Sequence, residues 1–281
     1  MSLPSLRGAE LRINLTYLWC HRRLPRLADP TLFTELVQLR KMFDRDDRMP
    51  KLADKVAAKS IAADRLGRDW IIPMLWSGNV MPDECPWKGP VVVKARHGCN
   101  QNAFVYSDED WALAKSASAG WMRRDYGQWL DEWAYREIPR GLLVEPKIGP
   151  KDDLPLDYKV FVFGGQATHV QVHLDRASGH QWVILDRDWR ALENGAPNVL
   201  RPSALTAMLL AAEEMAQGFD FARVDFYQPD TQPLFGEVTF YPGSGLLPIN
   251  PSSLDEEWGK LWLGARAANN IPARSKLAYV G

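Results

Sequence analysis

The sequence predicts an α+β fold that starts with a helical N-terminal segment. Leu32, Leu36, Leu39 and Phe43 recur every three or four residues, which is the spacing of the buried face of a helix. Residues 158–186 instead alternate apolar and polar side chains around turns, as the strands of an antiparallel meander do. Both patterns in one chain indicate the α+β class.

The other elements follow from the same two periods and from turn residues. Asp29-Pro30 is a typical helix start, and Gly67 is a typical end for a helix that begins near Pro50. We expect further helices capped at Ser107 and over 203–217 and 254–268, strands over 91–94, 103–106, 142–145, 158–163, 167–174 and 181–185, and turns at Gly164-Gly165 and Ser178-Gly179.

Composition places the chain among globular proteins of one large or two ordinary domains. It has 281 residues, of which 46% are hydrophobic and 25% charged, so it can bury a substantial core. The formal net charge of -1 gives no reason to expect a nucleic-acid partner. The three cysteines fit neither a disulfide framework nor a zinc site, so we expect a reducing, cytoplasmic setting. No stretch predicts a signal peptide or a membrane span.

The densest chemistry lies in residues 222–246, which predict a two-stranded hairpin. Both arms alternate, so Arg223 and Asp225 share one face of the first arm, and Glu237 and Thr239 share the corresponding face of the return arm. The connecting loop is centred midway between Asp225 and Glu237. An antiparallel pairing about that centre sets Asp225 opposite Glu237 and Arg223 opposite Thr239.

Asp225 and Glu237 form the candidate metal site of this hairpin. Two directly opposed carboxylates, about 5 Å apart at Cβ, repel each other unless a cation lies between them or water solvates both. Hard oxygen ligands favour Mg²⁺. The pair therefore predicts a magnesium site. The alternative is a solvated face on an edge hairpin, because one face of an antiparallel sheet is commonly exposed to water.

Further short motifs are distributed from Lys51 to Gly245. They are Asp54-Lys55 with Lys59, Gly67 and Ile72-Pro73, the strand VVVK ending at Lys94, HGCNQN at 97–102, Glu145-Pro146-Lys147-Ile148, Lys159, RVDF at 223–226 and GEVTFYPGSG at 236–245. In this order the motifs resemble those of the ATP-grasp superfamily. The wording DYKVFVFGG and FGEVTFYPGSG further resembles the TupA-like branch, which is associated with polysaccharide and teichuronopeptide biosynthesis. Each motif is weak alone, and it is their order that carries the resemblance.

The resemblance implies an ATP-grasp fold, in which two α+β lobes grip ATP. The implied division of the chain is a helical segment at 1–50, an N-terminal lobe with the glycine-rich loop at 51–145, and a C-terminal lobe with the metal hairpin at 146–281. The implied cofactors are ATP and Mg²⁺.

The resemblance also implies a role for each motif residue. Lys94 closes an apolar strand, where a lysine is costly to bury unless it meets an anion such as phosphate, and the same reasoning applies to Lys159. Lys55, by contrast, lies on a helix, where surface exposure is the ordinary state. The implied set is ATP binding by Lys55, Lys94, Gly98, Glu145, Lys147, Ile148 and Lys159, metal binding by Asp225, Glu237 and Thr239, and catalysis by Arg223, Lys159, Gly243 and Ser244.

Two positions depart from the superfamily pattern. The loop HGCNQN contains only Gly98, so its backbone is less free to wrap phosphates than a loop with several glycines. Thr239 stands where many ATP-grasp ligases have an asparagine ligand to magnesium. A threonine hydroxyl can bind Mg²⁺ directly or through water, so the resemblance leaves one or two ions open.

The implied reaction is ATP-dependent ligation of a carboxylate to an amine through an acylphosphate. The branch resemblance suggests an amino acid or amino group joined to a uronic acid or similar carboxylate, on a small molecule or a glycan. A phosphotransferase on the same scaffold is one alternative. A metal-dependent glycosyltransferase is another, because Asp186-Arg187-Asp188 has the Asp-x-Asp form. A non-catalytic nucleotide-binding subunit is a third, and the sequence indicates no oligomeric state.

Overall fold

The computed structural model describes residues 3–149, 154–174, 181–193 and 195–271. Its helices are α1 (Leu3–His21), α2 (Phe33–Phe43), α3 (Arg48–Ala53), α4 (Lys55–Leu66), α5 (Asp108–Arg123), α6 (Trp133–Arg136), α7 (Leu205–Met215) and α8 (Ser252–Ala268). Its strands are β1 (Trp76–Gly78), β2 (Val91–Ala95), β3 (Asn102–Val105), β4 (Leu142–Pro146), β5 (Asp157–Phe163), β6 (Gln166–Leu174), β7 (Gln181–Asp186), β8 (Phe221–Tyr227) and β9 (Leu234–Thr239). The predicted α+β class is confirmed. In the described part of the chain, no helix combines the length and apolar character needed to span a bilayer.

The strands form two antiparallel sheets. The first has the order β1-β4-β2-β3, and α5 packs on it around the buried Trp111. The second has the order β7-β6-β5-β8-β9 and contains the predicted meander. Its turn at Gly164-Gly165 is present, with both glycines at positive φ, whereas Ser178-Gly179 lies outside the described residues.

The main core lies on the second sheet under α2, α7 and α8. Phe33 of α2 stacks edge-on against Phe221 of β8 at 5.0 Å and Trp258 of α8 at 5.3 Å. Nearly the whole of α2 is buried because it lies between α8 and the turn that follows β9. Burial of these aromatic side chains is a major apolar contribution to the stability of this half of the molecule.

A buried ionic network ties α2 to α8 and to the start of β8. Arg40 and Arg266 both contact Asp220, and Arg266 also pairs with Asp44 at 2.9 Å. The Arg40 guanidinium lies 4.3 Å from the ring centroid of Trp262. The arginine charges are therefore compensated inside the core, as buried charges must be.

Two helix boundaries differ from the prediction. The helix expected from Asp29-Pro30 begins at Phe33, because the Glu35 carboxylate accepts the backbone N–H groups of Thr31 and Leu32 just before it. The single helix expected from Pro50 to Gly67 is two helices. Asp54 separates them in an extended conformation, and its carboxylate accepts the N–H of Val56 as the N-cap of α4.

The hairpin of β8 and β9 has the predicted register. Asp225 pairs with Glu237 and Arg223 with Thr239, so the prediction from alternation is confirmed. The register then shifts at a β-bulge, and Gly236 is the extra residue. A Cβ at this glycine would lie 3.0 Å from the backbone oxygen of Asp225, so a larger residue would crowd the partner strand at the bulge.

Candidate active site

A cavity of about 500 Å³ lies between the two sheets. It is lined by these predicted residues: Lys55, Lys94, Gly98, Glu145, Lys159, Arg223, Asp225, Glu237, Thr239, Gly243 and Ser244. Lys147 and Ile148 line a second cavity of about 70 Å³, which shares Lys94, Asn102, Glu145 and Tyr227 with the first. Every residue to which the motifs assign ATP binding, metal binding or catalysis therefore lies at one of two adjoining cavities.

Lys159, Asp225 and Glu237 lie side by side on three adjacent strands. The register pairs Lys159 of β5 with Asp225 of β8, and Asp225 with Glu237 of β9. Lys159 Nζ lies 2.6 Å from Asp225 Oδ2, and Arg223 donates to both Asp225 oxygens at 2.7 Å. Asp225 is only 2% exposed. It is thus the anion that holds two cations at the cavity wall.

Glu237 has a more open setting than Asp225. Its side chain is 28% exposed, and its oxygens lie 3.5 Å from Lys55 Nζ and 3.8 Å from Arg223 Nη2. Burial by itself raises the pKa of Glu237, but Lys55, Lys159 and Arg223 outweigh it and hold the pKa below its usual value. The side chain is therefore an anion at neutral pH.

Arg223 connects the two arms of the hairpin. Its Nη2 donates to Thr239 Oγ1 at 3.1 Å as well as to Asp225. Burial lowers the pKa of Arg223, but Asp225 and Glu237 outweigh that effect and raise it above its ordinary value. The guanidinium is a permanent, oriented charge facing the cavity.

The hairpin fits the magnesium prediction by the chemistry of its oxygen ligands. Asp225 and Glu237 supply two carboxylates, and the Thr239 hydroxyl lies 3.4 Å from Glu237 Oε1. Among the described residues, no three or more His, Cys, Asp or Glu side chains form a group that could hold a metal. Mg²⁺ commonly takes one or two protein carboxylates and completes its shell with substrate phosphates and water. These residues fit that pattern.

Glu145 holds two lysines at the junction of the two cavities. Its carboxylate lies 2.6 Å from Lys94 Nζ and 2.8 Å from Lys59 Nζ, and Lys59 also donates to the carbonyl of Ile72 at 2.7 Å. Burial opposes ionisation of Glu145, but the two lysines outweigh it and lower its pKa. In this structure, the contacts of Glu145 position the lysines.

The smaller cavity is largely apolar. Val92, Phe104, Pro146, Ile148 and Leu154 supply much of its wall. It lies where β4 ends, and the Lys147 N–H that follows donates to the carbonyl of Pro90 at 3.0 Å. This bond fixes the segment after β4 to the start of β2. A flat aromatic ring fits such a site better than a charged group does.

The glycine-rich segment covers one side of the larger cavity. Lys55 Nζ donates to the carbonyl of Gly98 at 2.8 Å, which ties the segment to α4. Cys99 Sγ lies 3.5 Å from the hydroxyl of Tyr135, and burial raises the pKa of this thiol. His97 is buried and bonds to backbone groups of Trp121 and Gly141, which agrees with the structural role expected of a lone histidine.

Gly243 and Ser244 line the larger cavity but not the apolar one. Both have left-handed backbone conformations, with φ of 53° and 57°. Glu132, Tyr126 and Tyr135 line the same cavity. These three residues were not identified from the sequence, because they follow no periodic pattern.

Two further cavity residues, Lys59 and Asp157, received no site role from the sequence, although each had a weak signal. Lys59 lies four residues after Lys55, so both face the same side of α4, but exposure was expected for both. Both instead line the cavity, and Lys59 is 7% exposed, because α4 packs beside it. Asp157 begins β5, two residues before Lys159, and its carboxylate lies 2.6 Å from Lys159 Nζ. Strand alternation places both on one face.

The Asp-x-Asp sequence lies elsewhere. Asp186 ends β7, and its carboxylate accepts the N–H of Arg190 in a turn. The Asp188 side chain is 69% exposed. Neither residue lines the cavity, so the Asp-x-Asp sequence is separate from the candidate site.

Comparisons with known proteins agree with this architecture. A family model described as TupA-like ATPgrasp matches residues 35–263. No curated protein matches the chain. Among solved structures, an L-amino acid ligase from Bacillus licheniformis is similar, with 14% identity, a TM-score of 0.54, and coverage of 88% of this chain and 58% of that chain.

A D-alanine–D-alanine ligase from Bacillus anthracis complexed with ATP is a second similar structure. It has 15% identity and a TM-score of 0.49, with coverage of 79% of this chain and 66% of that chain. The chain thus spans less than two thirds of the length of either solved chain. At these identities, the similarity to the L-amino acid ligase concerns the fold.

Proposed function

The chain belongs to the TupA-like ATP-grasp family, and from this premise we propose that it is an ATP-dependent ligase that joins a carboxylate to an amine. The observation that carries the proposal is the cavity itself. Lys94, Lys159 and Arg223 place three cations around one space, beside the carboxylates Asp225 and Glu237. The three cations can neutralise the phosphates of a nucleoside triphosphate, and the two carboxylates can bind its divalent cation.

In this proposal ATP lies across the two cavities. The adenine ring occupies the small apolar cavity beside Ile148, and the phosphates extend past the shared residue Lys94 towards Lys159. The lobe of residues 51–145 supplies the first lysine, and the lobe of residues 146–281 supplies the second. Glu145 keeps Lys94 oriented through the 2.6 Å contact.

The first chemical step is phosphorylation of the carboxylate substrate. A carboxylate oxygen attacks the γ-phosphorus of ATP, ADP leaves, and an acylphosphate forms. Lys94 and Lys159 stabilise the charge on the transferred group. When bound by Asp225, Glu237 and Thr239, Mg²⁺ supplies further neutralisation of phosphate charge.

The second step is attack of the neutral amine nitrogen on the acyl carbon of the acylphosphate, which forms the amide bond, breaks the acyl C–O bond and releases inorganic phosphate and a proton. The carbonyl oxygen gains negative charge as the nitrogen adds, and a preorganised donor stabilises it. Arg223 uses Nε and Nη2 for Asp225 and Thr239. Its Nη1 makes no hydrogen bond to another residue in the described ranges, so we assign it to the oxyanion. The turn with Gly243 and Ser244 lines the same cavity.

The substrate class follows from the family. Its association with polysaccharide biosynthesis favours a uronic acid or similar carboxylate and an amino acid or amino group. Cys20, Cys85 and Cys99 are free thiols, in keeping with the cytoplasm as the site of the reaction.

Two measurements test the proposal. Mg-ATP is expected to raise the melting temperature, because at a hundredfold excess over Kd it adds about 2.7 kcal/mol to the free energy of unfolding. UDP-sugars are expected to leave the melting temperature unchanged. With a carboxylate substrate and hydroxylamine, the enzyme is expected to release phosphate and form a hydroxamate. Formation of ADP without phosphate release and without hydroxamate would favour the phosphotransferase, and stabilisation by UDP-sugars alone would refute the ATP site.

A further inference from the structure

The acidic side chains of the cavity differ in their partners. The cavity is lined by Glu132, Glu145, Asp157, Asp225 and Glu237. Glu145, Asp157, Asp225 and Glu237 each have a lysine or arginine nitrogen within 4 Å. Glu132 has no such ion pair with any residue of the described ranges, although it is only 4% exposed. Within the described ranges, it is a buried carboxyl group without an ion-pair partner.

The nearest cation does not fill this place. Lys41 is buried behind Glu132, and its ammonium donates to Gln38 Oε1 at 3.0 Å. Its charge attracts that of Glu132 without an ion pair. Asp131, the neighbouring acid, is bound by Arg12 at 3.1 Å. Among the acidic side chains that line the cavity, Glu132 is therefore the one without an ion pair in the described ranges.

Aromatic rings also line this cavity. The rings of Tyr126 and Tyr135 are 5.3 Å apart, and those of Tyr135 and Tyr241 are 6.1 Å apart. The hydroxyl of Tyr241 accepts the N–H of Ala134 at 3.3 Å. These contacts hold the rings in place. Tyrosine faces carry partial negative charge and attract ammonium groups, most strongly where water is excluded.

The pKa of Glu132 is also consistent with a cation site. Burial raises this pKa, and Lys41 and Ser244 lower it by less than burial raises it. An ionised carboxylate in this setting costs stability unless a cation binds beside it. Residues that cost stability in this way are typical of ligand-binding sites.

We propose that Glu132, with Tyr126, Tyr135 and Tyr241, binds the ammonium group of the amine substrate. The ligand class is a primary amine that is protonated at neutral pH, such as an amino acid or an amino sugar. The inference rests on the proposed function for the identity of this ligand as the second substrate. Glu132 and the three tyrosines line the same cavity as Lys94, Lys159 and Ser244, so an amine bound there shares the cavity with the proposed phosphate-binding lysines.

The test uses n-propylammonium as the probe and n-propanol as its uncharged analogue. Each is titrated into the full chain, and binding is followed by saturation-transfer NMR. Propylammonium is expected to bind at least about tenfold more tightly than propanol, because hydrogen bonds to charged groups are the strong ones. Glu132→Gln is expected to remove that preference. Glu137→Gln, an exposed residue five positions away, is the matched control and is expected to retain it.

Folding of the variants is measured alongside. Glu132→Gln removes a charge that folding disfavours, so its melting temperature is expected to equal or exceed that of the wild type. Tyr126→Leu provides a second test at a half-buried position, and it is expected to weaken propylammonium binding several-fold while leaving propanol binding unchanged. Equal binding of propylammonium to the wild type and to Glu132→Gln would overturn the proposal, as would no binding to the wild type.

Hydroxylamine separates this inference from the proposed function. It is uncharged at neutral pH, so Glu132→Gln is expected to slow ligation of amines that are protonated at neutral pH more than it slows hydroxamate formation. A wild type that forms no hydroxamate would refute the ligase. The propylammonium titration would still decide the site.

Discussion

Asp225→Asn and Glu237→Gln remove the same charge from adjacent positions of the hairpin, yet the structure predicts different effects on stability. Asp225 is 2% exposed and binds both Arg223 and Lys159 at 2.6–2.7 Å. The Glu237 side chain is 28% exposed, and its ion pairs are 3.5 and 3.8 Å long. Asp225 therefore supports the fold as well as the site, and Glu237 mainly the site.

The magnitudes follow from burial. Removing one partner of a buried ion pair typically costs about 3–5 kcal/mol. The amide oxygen of asparagine can still accept a hydrogen bond, so we expect Asp225→Asn to cost about 3 kcal/mol, the lower end of that range. In a chain of this size, that lowers the melting temperature by roughly 6–12 °C. Glu237→Gln loses only long, partly solvated contacts and is expected to cost at most about 1 kcal/mol, or roughly 2–4 °C.

Activity is expected to fall in both variants. Each removes a proposed magnesium ligand, and a thousandfold loss of turnover corresponds to about 4 kcal/mol of transition-state stabilisation. Melting is measured without nucleotide by circular dichroism, and turnover by phosphate release below the melting temperature of the less stable variant. Gln232→Glu changes the charge of the same hairpin by one unit in its exposed loop, away from the cavity, and serves as the control for charge alone.

Two results would refute this reasoning. Equal destabilisation by the two variants would show that burial does not separate the two carboxylates. Near-normal turnover in both would show that the hairpin is a solvated face without a metal.

Three other substitutions test different parts of the structure. Glu145→Gln leaves two lysines without their anion and is expected to lower the melting temperature by roughly 6–12 °C. Because folding lowers the pKa of Glu145, the difference in unfolding free energy from wild type should vanish as the pH falls below about 4.5. Urea unfolding measures this difference. Lys41→Met is expected to stabilise the protein by up to about 3 kcal/mol at pH 7, since burial lowers the pKa of Lys41 to about 8. This gain in stability should disappear as the pH rises towards 10.5, where the lysine of the unfolded wild type also loses its proton. Gly236→Ala crowds a backbone oxygen at 3.0 Å and is expected to lower both the melting temperature and turnover. Gly264→Ala, whose added Cβ meets no atom within 4 Å, is expected to lower neither. Equal melting temperatures of the two variants would contradict the role of the bulge.

Sequence reasoning was most successful where the signal is local. The alternation of β8 and β9 and the position of their loop were enough to predict that Asp225 faces Glu237. The bulge at Gly236 was not predicted, since one extra residue near the loop leaves the pairing of those two residues unchanged. The break at Asp54 was also missed, because the helical pattern continues across it and the capping contact forms only in the folded chain.

The residues missed in the candidate site share a different cause. Glu132 and Tyr135 come from a stretch without regular period, and they meet Tyr241 only because the chain packs residues more than a hundred positions apart. Lys59 was expected at the surface because nothing near it in the sequence reveals that Glu145 lies beside it.

The sequence by itself determined the α+β class, the order of the motifs and the register of the hairpin, because strand period and turn residues are properties of neighbouring positions. Only the tertiary structure decided which charges are compensated. Lys59 and Lys94 share Glu145, whereas Glu132 has no ion pair within the described ranges. Compensation depends on distances between residues remote in the chain and on the exclusion of water around them, and neither quantity is written in a local pattern.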